Sequence, residues 1–392
     1  MGTANPQMPL ITVVTPLFPL PHQPYRGRFI YETVVGLQRY ADVRVLCPIP
    51  VYPAWSRLFR PHLLTRLDTS YSPPGVNATY FSYPALPLIS RPWNGAVCSR
   101  RLRPYLEKLR PAVVLSYWLY PEGYAAVRAS HALGIPAIVG SRGSDLRRIP
   151  DPVTRRLVAK TLREADYVLT VSRELRSLAL RLGAREDRSA SILNGCDSNV
   201  FHPTDREAAR EKLGILPGEK VILYVGRFVK AKGIPELTAA FTALLNEFPH
   251  LRLVCVGSGP LKPGMESLAS TAKRSDRILM PGDQSPPEVA RWMAAADLFC
   301  LPSHSEGCPN VVIEAISCGC PVVATDVGGT PELVTAECGI LVPAENVARL
   351  TEALRAALTH PWDREAIHSM FSRTWDQVAQ ETYATCQEVM HR

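Results

Sequence analysis

The chain has 392 residues, of which 46% are hydrophobic and 20% charged, a balance typical of globular proteins that argues against a disordered chain. This length is enough for two domains of ordinary size, each with its own core. No run of 18 apolar residues is present, so the sequence predicts no membrane-spanning helix. The first twenty residues lack a basic segment and prolines break their apolar stretch, so we expect no signal peptide.

The net charge of +8 is unevenly distributed. Residues 1–200 carry 26 Lys and Arg against 13 Asp and Glu, whereas the remainder carries 18 against 23. A basic first half favours an anionic partner or a membrane surface, and an ordinary solvated surface explains it equally well. The ten cysteines have neither disulfide nor zinc spacing, and Cys318 and Cys320 have no paired histidines nearby. We therefore interpret the cysteines as reduced core residues in a reducing cytosol.

Short apolar runs alternate with amphipathic stretches in the first half, a pattern that predicts βα units and a parallel sheet. The predicted strands are Ile11–Thr15, Val43–Cys47, Val113–Tyr117, Ala137–Val139, Tyr167–Val171 and Ser191–Leu193. The predicted helices are Phe29–Tyr40, Arg101–Leu109, Pro121–Leu133, Thr154–Glu164 and Arg173–Leu182.

The second half repeats this alternation after a stretch rich in turn formers, Asn194–Pro203, which predicts a linker. The predicted strands are Val221–Val225, Arg252–Val256, Arg277–Met280, Leu298–Leu301, Pro321–Ala324 and Gly339–Leu341. The predicted helices are Ile234–Glu247, Pro286–Ala295, Val311–Ser317, Val347–Leu358 and a last one near Trp375–Met390. The sequence thus predicts two doubly wound α/β domains.

The stretch LPSHSEGCPNVVIEAISCGCPVVATDVGGTP, residues 301–331, places two carboxylates after a buried strand. Glu306 lies in a turn of small residues, and Glu314 follows eight positions later on the next helix. Ligands of open α/β sheets bind at the carboxyl ends of the strands. Carboxylates accept hydrogen bonds from sugar hydroxyls, and the N–H groups at a helix start favour anionic or hydroxyl-rich ligands.

Two cations follow the first strand of the second half, in the sequence VGRFVKAKG. Arg227 ends the strand, and Lys232 precedes the helix that Gly233 opens. Two positive charges at such a place form a clamp for a diphosphate. The pair alone favours ordinary surface basic residues, whereas the pair together with the Glu306 to Glu314 block favours a ligand site.

This set of motifs resembles the retaining glycosyltransferases of family 4, which have the GT-B fold. The resemblance rests on the E-x7-E pair Glu306 and Glu314, on VGRFVKAKG, on VGSGP at 256–260 and on NGCD at 194–197, and it covers essentially residues 190–360. It implies two Rossmann-like doubly wound domains facing each other across a cleft. Residues 1–197 would bind the acceptor, joined by a C-terminal helix at about 375–392 that crosses back, and residues 198–374 would bind the donor.

The resemblance also implies roles for individual residues. Arg227 and Lys232 would hold the donor diphosphate, Glu306 the transferred sugar and Glu314 the ribose. The other implied donor contacts are Gly27, Gly226, Gly257, Gly259, Pro281, Gly282, Gly307, Cys308, Pro309, Asn310 and Val311. The G-x-G turn at 257–259 lacks the remaining glycine and the acidic residue of a dinucleotide fingerprint, which argues against a dehydrogenase.

The segment IVGSRGSD, residues 138–145, departs from the family, many members of which have a histidine where Arg142 stands. The family's same-face transfer does not require a histidine base, so Arg142 is a candidate catalytic residue that selects the donor sugar or an anionic acceptor. The SRGSD form and the PYRGRF stretch around Gly27 resemble a subgroup that acts in exopolysaccharide and cell-wall polymer synthesis. Asp145 has two equal interpretations, a helix cap and a functional carboxylate.

We therefore expect a retaining, metal-independent hexosyltransferase that uses a nucleoside-diphosphate sugar, a UDP-sugar in preference to a GDP-sugar, without a further cofactor. The acceptor would be a glycan or a polyprenyl-linked sugar, and the cytoplasmic enzyme would contact the inner membrane face through its basic first half. We expect no nucleic-acid partner. The alternatives are another nucleotide-sugar enzyme of this fold, such as an epimerase or a phosphorylase, and a non-catalytic scaffold supported by Arg142.

Overall fold

A computed structural model describes residues 8–21, 23–58, 68–69, 71–87, 89–271, 277–371 and 373–392. Residues 1–7, part of the segment considered above for a signal peptide, lie outside this range. The chain forms two compact units, Met1–Leu193 with Trp375–Arg392, and Asn194–Thr374. In the described part of the chain, no helix is both long and apolar enough to cross a bilayer.

The first unit contains a parallel sheet of seven strands in the order β3-β2-β1-β4-β5-β6-β7. The central strands are buried on both faces, as their continuous Val, Ile and Leu runs require. The strands are β1 Leu10–Val14, β2 Asp42–Val51, β3 Asn77–Pro84, β4 Val113–Tyr117, β5 Ala137–Ser141, β6 Tyr167–Thr170 and β7 Ser189–Ser191. The helices that connect them are α1 Arg28–Leu37, α2 Arg91–Leu109, α3 Tyr124–His131, α4 Ser144–Arg147, α5 Pro152–Glu164 and α6 Arg173–Arg181.

Three predicted elements of this unit have the wrong bounds. The helix predicted at Arg101–Leu109 begins ten residues earlier, at Arg91, because Pro92 occupies a first-turn position where proline starts a helix. The strand predicted at Ser191–Leu193 lies at Ser189–Ser191. The helix predicted at Pro121–Leu133 begins at Tyr124, after an irregular turn.

The second unit has six parallel strands in the order β10-β9-β8-β11-β12-β13. These are β8 Lys220–Val225, β9 Leu251–Val256, β10 Ile278–Gly282, β11 Leu298–Leu301, β12 Val322–Thr325 and β13 Gly339–Val342. The helices are α7 Arg206–Lys212, α8 Ile234–Leu244, α9 Lys262–Thr271, α10 Pro286–Ala295, α11 Asn310–Ser317, α12 Val347–Thr359 and α13 Arg364–Met370. The predicted architecture of two Rossmann-like parallel-sheet domains is confirmed.

The last helix, α14 Trp375–Met390, belongs to the first unit and packs on α1. Val378, Ala379, Cys386 and Val389 are buried in the same core as β1 and α1. The contact is close because Gly36 of α1 has no side chain, and a Cβ there would lie 2.6 Å from the Ala379 Cβ.

This contact predicts that Gly36→Val destabilises the first unit by about 2 kcal/mol, since overpacking a dense core typically costs about 1–3 kcal/mol. Urea unfolding followed by circular dichroism measures the change. Gly264→Val is the matched control, because a Cβ at Gly264 meets open space. An equal effect of the two substitutions would contradict the packing of α14 on α1.

Candidate functional site

Hydrogen bonds join the carboxyl ends of β8, β9 and β10. Gly226 N–H donates to the Val256 carbonyl at 2.9 Å, and Gly257 N–H donates to the Gly282 carbonyl at 2.8 Å. A Cβ on Gly257 would lie 2.1 Å from the Gly226 oxygen, and φ at Gly257 is 128°. Only glycine fits there. The predicted residues Gly226, Gly257 and Gly282 are therefore brought together at one edge of the sheet.

The start of α8 packs directly on the segment that follows β11. Gly233 has φ of 70°, and a Cβ on it would lie 1.9 Å from the Pro302 carbonyl oxygen. One hydrogen bond continues this contact, from the His304 N–H to the Ala231 carbonyl at 3.0 Å. The Lys230–Lys232 turn and the Pro302–Glu306 segment are thus held side by side.

The close approach of these segments pairs Lys232 with Glu306, whose charged atoms are 2.5 Å apart. The Glu306 side chain is 10% exposed and that of Lys232 27%, so little water screens the pair. Arg227 is exposed at the end of β8, and its guanidinium has no ion-pair partner among the described residues. The two predicted cations therefore differ. Lys232 forms an ion pair with Glu306, whereas Arg227 is exposed and available to a ligand.

Glu314 lies on α11 and is only partly exposed. Removal of its carboxyl from water raises the pKa of Glu314 to about 7. Within the described residues, no hydrogen-bond donor or cation pairs with this carboxyl. An enclosed carboxylate without a partner is costly, and such groups concentrate at functional sites.

The turn before α11 presents backbone donors. Gly307 is fixed by its carbonyl, which accepts from the Gly329 N–H at 2.8 Å, and Pro309 precedes the helix. Along the described chain, the N–H groups of Asn310 and Val311 donate to no protein acceptor. Two free N–H groups at a helix start favour a negatively charged or hydroxyl ligand.

Cys308 occupies the same turn. All ten cysteines lie within the described residues and none forms a disulfide, and Cys308 is the one that is not fully buried.

Asn194 is a site residue whose role the sequence did not reveal. The motif NGCD marked it as linker, but its side-chain N–H donates to Asn310 Oδ1 at 2.7 Å and to the Cys308 carbonyl at 3.4 Å. It is 4% exposed. Cys196 contacts the other end of α11, with its Sγ 3.1 Å from Ser317 Oγ. The linker therefore holds both ends of the helix that carries Glu314.

The remaining predicted donor contacts lie in the turn after β9 and at the end of β10. Gly259 packs so closely on Phe228 that a Cβ there would lie 2.6 Å from the Phe228 oxygen. Pro281 is partly exposed near the end of β10, and its carbonyl accepts from Gln284 at 2.9 Å. Both residues lie near the strand ends already described.

In the first unit, Gly27 caps α1 with a left-handed φ of 64°. The Arg142 guanidinium packs against the rings of Phe29 and Tyr117, at 5.1 and 4.3 Å from their centroids. This contact with two aromatic faces holds the arginine in place beside the ends of β4 and β5.

Asp145 is buried and accepts hydrogen bonds within the turn that precedes α4. Its two carboxylate oxygens accept from Ser141 Oγ and from the N–H groups of Leu119, Arg142 and Gly143. These bonds organise the 141–145 turn, and they hold the Asp145 pKa down against the larger effect of burial, which raises it. The residue stands within the first turn of α4 and is not its N-cap.

One group of potential metal ligands is present in the described part of the second unit. Glu236, His304 and Glu345 offer ligand atoms within 4.8 Å of one another. His304 Nε2 is already 3.1 Å from Glu236 Oε1, and Glu345 is exposed. The contact between His304 and Glu236 adds a further link between the start of α8 and the Pro302–Glu306 segment.

Comparison with known proteins matches each unit to a glycosyltransferase family model. Residues 205–370 match the family described as glycosyl transferases group 1, and residues 27–195 match the glycosyl transferase 4-like domain. A Bacillus subtilis (strain 168) protein, provisionally named teichuronic acid biosynthesis glycosyltransferase TuaC, is 30% identical over 87% of each chain. D-inositol 3-phosphate glycosyltransferase of Nocardia farcinica (strain IFM 10152) is 36% identical over 56% of this chain and 51% of its own length.

Two solved structures have a similar fold. Sucrose-phosphate synthase from Thermosynechococcus elongatus gives a TM-score of 0.78 at 20% identity, covering 98% of this chain and 99% of its own. Anabaena HepE, solved with UDP, gives 0.73 at 17% identity, covering 97% and 100%. These likenesses confirm the predicted fold. The family models and the Bacillus subtilis relative, which is 30% identical over 87% of each chain, show that the chain belongs to the family 4 glycosyltransferases, which have the GT-B fold.

Proposed function

We propose that this glycosyltransferase transfers a hexose-type sugar, with retention, from a nucleoside-diphosphate sugar bound to its second unit. The observation that carries the proposal is the Glu314 carboxyl, which is enclosed on α11 without a partner in the described chain. A ribose offers two adjacent hydroxyl donors, and one carboxylate can accept both. The free N–H groups of Asn310 and Val311 lie at the start of the same helix.

The diphosphate is assigned to Arg227 and Lys232. Arg227 is exposed and unpaired among the described residues, so it can bind an anion without breaking an existing ion pair. Lys232 reaches the site already paired with Glu306. In this proposal an incoming diphosphate shares Lys232 with Glu306, and Glu306 contacts the transferred sugar. Fixed positive charge at the leaving group lowers the barrier to bond cleavage.

The proposed reaction is a substitution at the sugar C1 on the face that the diphosphate leaves. The bond between the sugar C1 and the diphosphate oxygen breaks, and the diphosphate leaves with the electron pair. The acceptor hydroxyl oxygen bonds to C1 on the same face, and its proton passes to an oxygen of the leaving diphosphate. In this proposal Arg227 and Lys232 neutralise the charge that develops, the role that a metal ion has in other transferases, and no further cofactor takes part.

We assign the donor as a UDP-sugar in preference to a GDP-sugar, and the acceptor as a glycan or a polyprenyl-linked sugar. Support for a polymer acceptor comes from the relative TuaC, whose name assigns it to teichuronic acid biosynthesis. The basic first half, with 26 Lys and Arg against 13 Asp and Glu in residues 1–200, suits an acceptor that carries phosphate.

Glu314→Gln is expected to weaken UDP binding on the order of 10- to 100-fold, because hydrogen bonds to a charged acceptor contribute about 1.5–3 kcal/mol. Isothermal titration with UDP, GDP and ADP gives both the affinities and the base preference. Glu352→Gln is the control, since Glu352 is exposed on α12. Unchanged UDP affinity in Glu314→Gln would overturn the donor site, and a folded protein that binds none of the three nucleotides would favour the non-catalytic scaffold.

The raised pKa of Glu314 predicts that Glu314→Gln, although it weakens UDP binding, increases the stability of the fold at high pH. Burial raises this pKa from 4.5 to about 7, so the folded state favours the protonated form. The contribution of Glu314 to stability is accordingly complete below pH 4.5 and is lost as the pH rises through about 7. Glutamine does not ionise, so Glu314→Gln should be about 1–3 kcal/mol more stable than wild type at pH 8 and similar at pH 4.5.

Urea unfolding of wild type, Glu314→Gln and Glu352→Gln at the two pH values measures this difference. A stability difference between wild type and Glu314→Gln that does not change with pH would show that the Glu314 carboxyl is not enclosed as described.

Lys232→Met is expected to weaken binding of UDP on the order of tenfold or more while leaving uridine binding unchanged, since uridine lacks the diphosphate. Lys230→Met is the matched control, because Lys230 lies in the same turn and is exposed. Equal losses for UDP and uridine would indicate a general disturbance of the turn and would contradict the diphosphate assignment.

A further inference from the structure

Three potential metal ligands of the second unit come from three separate turns of the chain. Glu236 lies in the first turn of α8, His304 follows β11, and Glu345 lies between β13 and α12. Helices α8 and α12 pack against each other, so the turns at their starts lie on the same side of the sheet. An imidazole nitrogen and two carboxylate oxygens thereby come within 4.8 Å of one another. We name these three residues the ligand cluster.

Two members of the ligand cluster already have nearly the separation of zinc ligands. His304 Nε2 is 3.1 Å from Glu236 Oε1. Ligand atoms that each bind a tetrahedral zinc ion at its usual distance are about 3.4 Å apart. The side chains of His304 and Glu236 are 17% and 14% exposed, so the space between them is largely shielded from water. An ion beside them therefore requires only a small movement of these two side chains.

Glu236 also has an oxygen atom that the protein leaves unsatisfied. Its Oε2 is buried and has no hydrogen-bond partner among the described residues. A buried acceptor without a partner destabilises the fold, and more so when it is charged. Glu345 is exposed and forms no ion pair in the described chain. Two carboxylates thus share one histidine, and a divalent cation would supply the missing positive charge.

The types of ligand in the cluster select the ion. Imidazole and carboxylate groups together suit zinc and the neighbouring transition metals, whereas calcium and magnesium prefer sites made of oxygen ligands alone. Zinc sites with three protein ligands keep a fourth position for water. Cys308, the partly exposed thiol of the described chain, is not a member of the ligand cluster. A zinc ion held here would therefore be bound by nitrogen and oxygen atoms.

We propose that the ligand cluster binds a zinc ion through His304 Nε2 and through the carboxylates of Glu236 and Glu345. The exposed Glu345 side chain moves to complete the site, and water takes the fourth position. The ion links the start of α8, which follows Lys232, to the segment that carries Glu306. This role goes beyond the proposed function, because the ion holds these two segments together and takes no part in sugar transfer.

Equilibrium dialysis of the full chain against zinc chloride, after treatment with a chelator, tests the proposal. We expect saturable binding of a single zinc ion per chain that an equal concentration of magnesium does not displace. His304→Ala should weaken this binding on the order of 100-fold or more, since even groups that only orient a ligand change metal affinity about 10- to 100-fold. Glu345→Gln should weaken it about tenfold or more, and a substitution at this exposed position leaves the fold unchanged.

Three control variants separate the ligand cluster from other groups that bind zinc. His250→Ala and Glu352→Gln remove exposed side chains elsewhere in the second unit, and Cys308→Ser removes the partly exposed thiol. All three should bind zinc as wild type does. Cobalt in place of zinc should give visible absorption without the intense ultraviolet band of a thiolate ligand. Failure of the wild type to bind zinc, equal losses in test and control variants, or equal competition by magnesium would overturn the proposal.

Discussion

The candidate site depends on one close backbone contact, between Gly233 at the start of α8 and the carbonyl of Pro302. The space there admits no Cβ, so any other residue at Gly233 would separate the two segments. Because they touch, Lys232 and Glu306 meet with little solvent around them. Lys232 therefore compensates the negative charge of Glu306, which is largely buried. Without this partner the buried carboxylate would destabilise the fold.

Glu314 shows the opposite arrangement. Its carboxyl is enclosed, its pKa is raised to about 7, and no described group compensates the charge. Near neutral pH the folded protein therefore carries an unfavourable group that a ligand hydroxyl would relieve. Proteins commonly accept such a cost at binding sites, because a group that is already satisfied within the protein has nothing to offer a ligand. Glu306 is thus a carboxylate paired within the protein, whereas Glu314 is a carboxylate available to a ligand.

Much of the fold was predictable from apolar runs, because strands buried on both faces have continuous β-branched sequences. The prediction for β4 has the same bounds as the structure. By contrast β3, at the edge of its sheet, was not predicted, since exposed and buried residues alternate along it and weaken the apolar signal. The identities of the site residues followed from motifs, but their pairing did not. Lys232 and Glu306 are 74 positions apart, and Asn194 and Asn310 are 116 apart, so these contacts depend on how the turns pack in space.

Only one thiol is partly exposed among the ten cysteines, and it lies at the candidate donor site. Nine of the ten cysteines are buried, and burial raises the pKa of Cys47, Cys255 and Cys300, which keeps these thiols protonated and unreactive. Cys308 is the exception, and its carbonyl is already fixed by Asn194. A thiol-directed fluorophore would therefore attach to the native sequence mainly in the turn before α11, where its emission would respond to whatever occupies that turn.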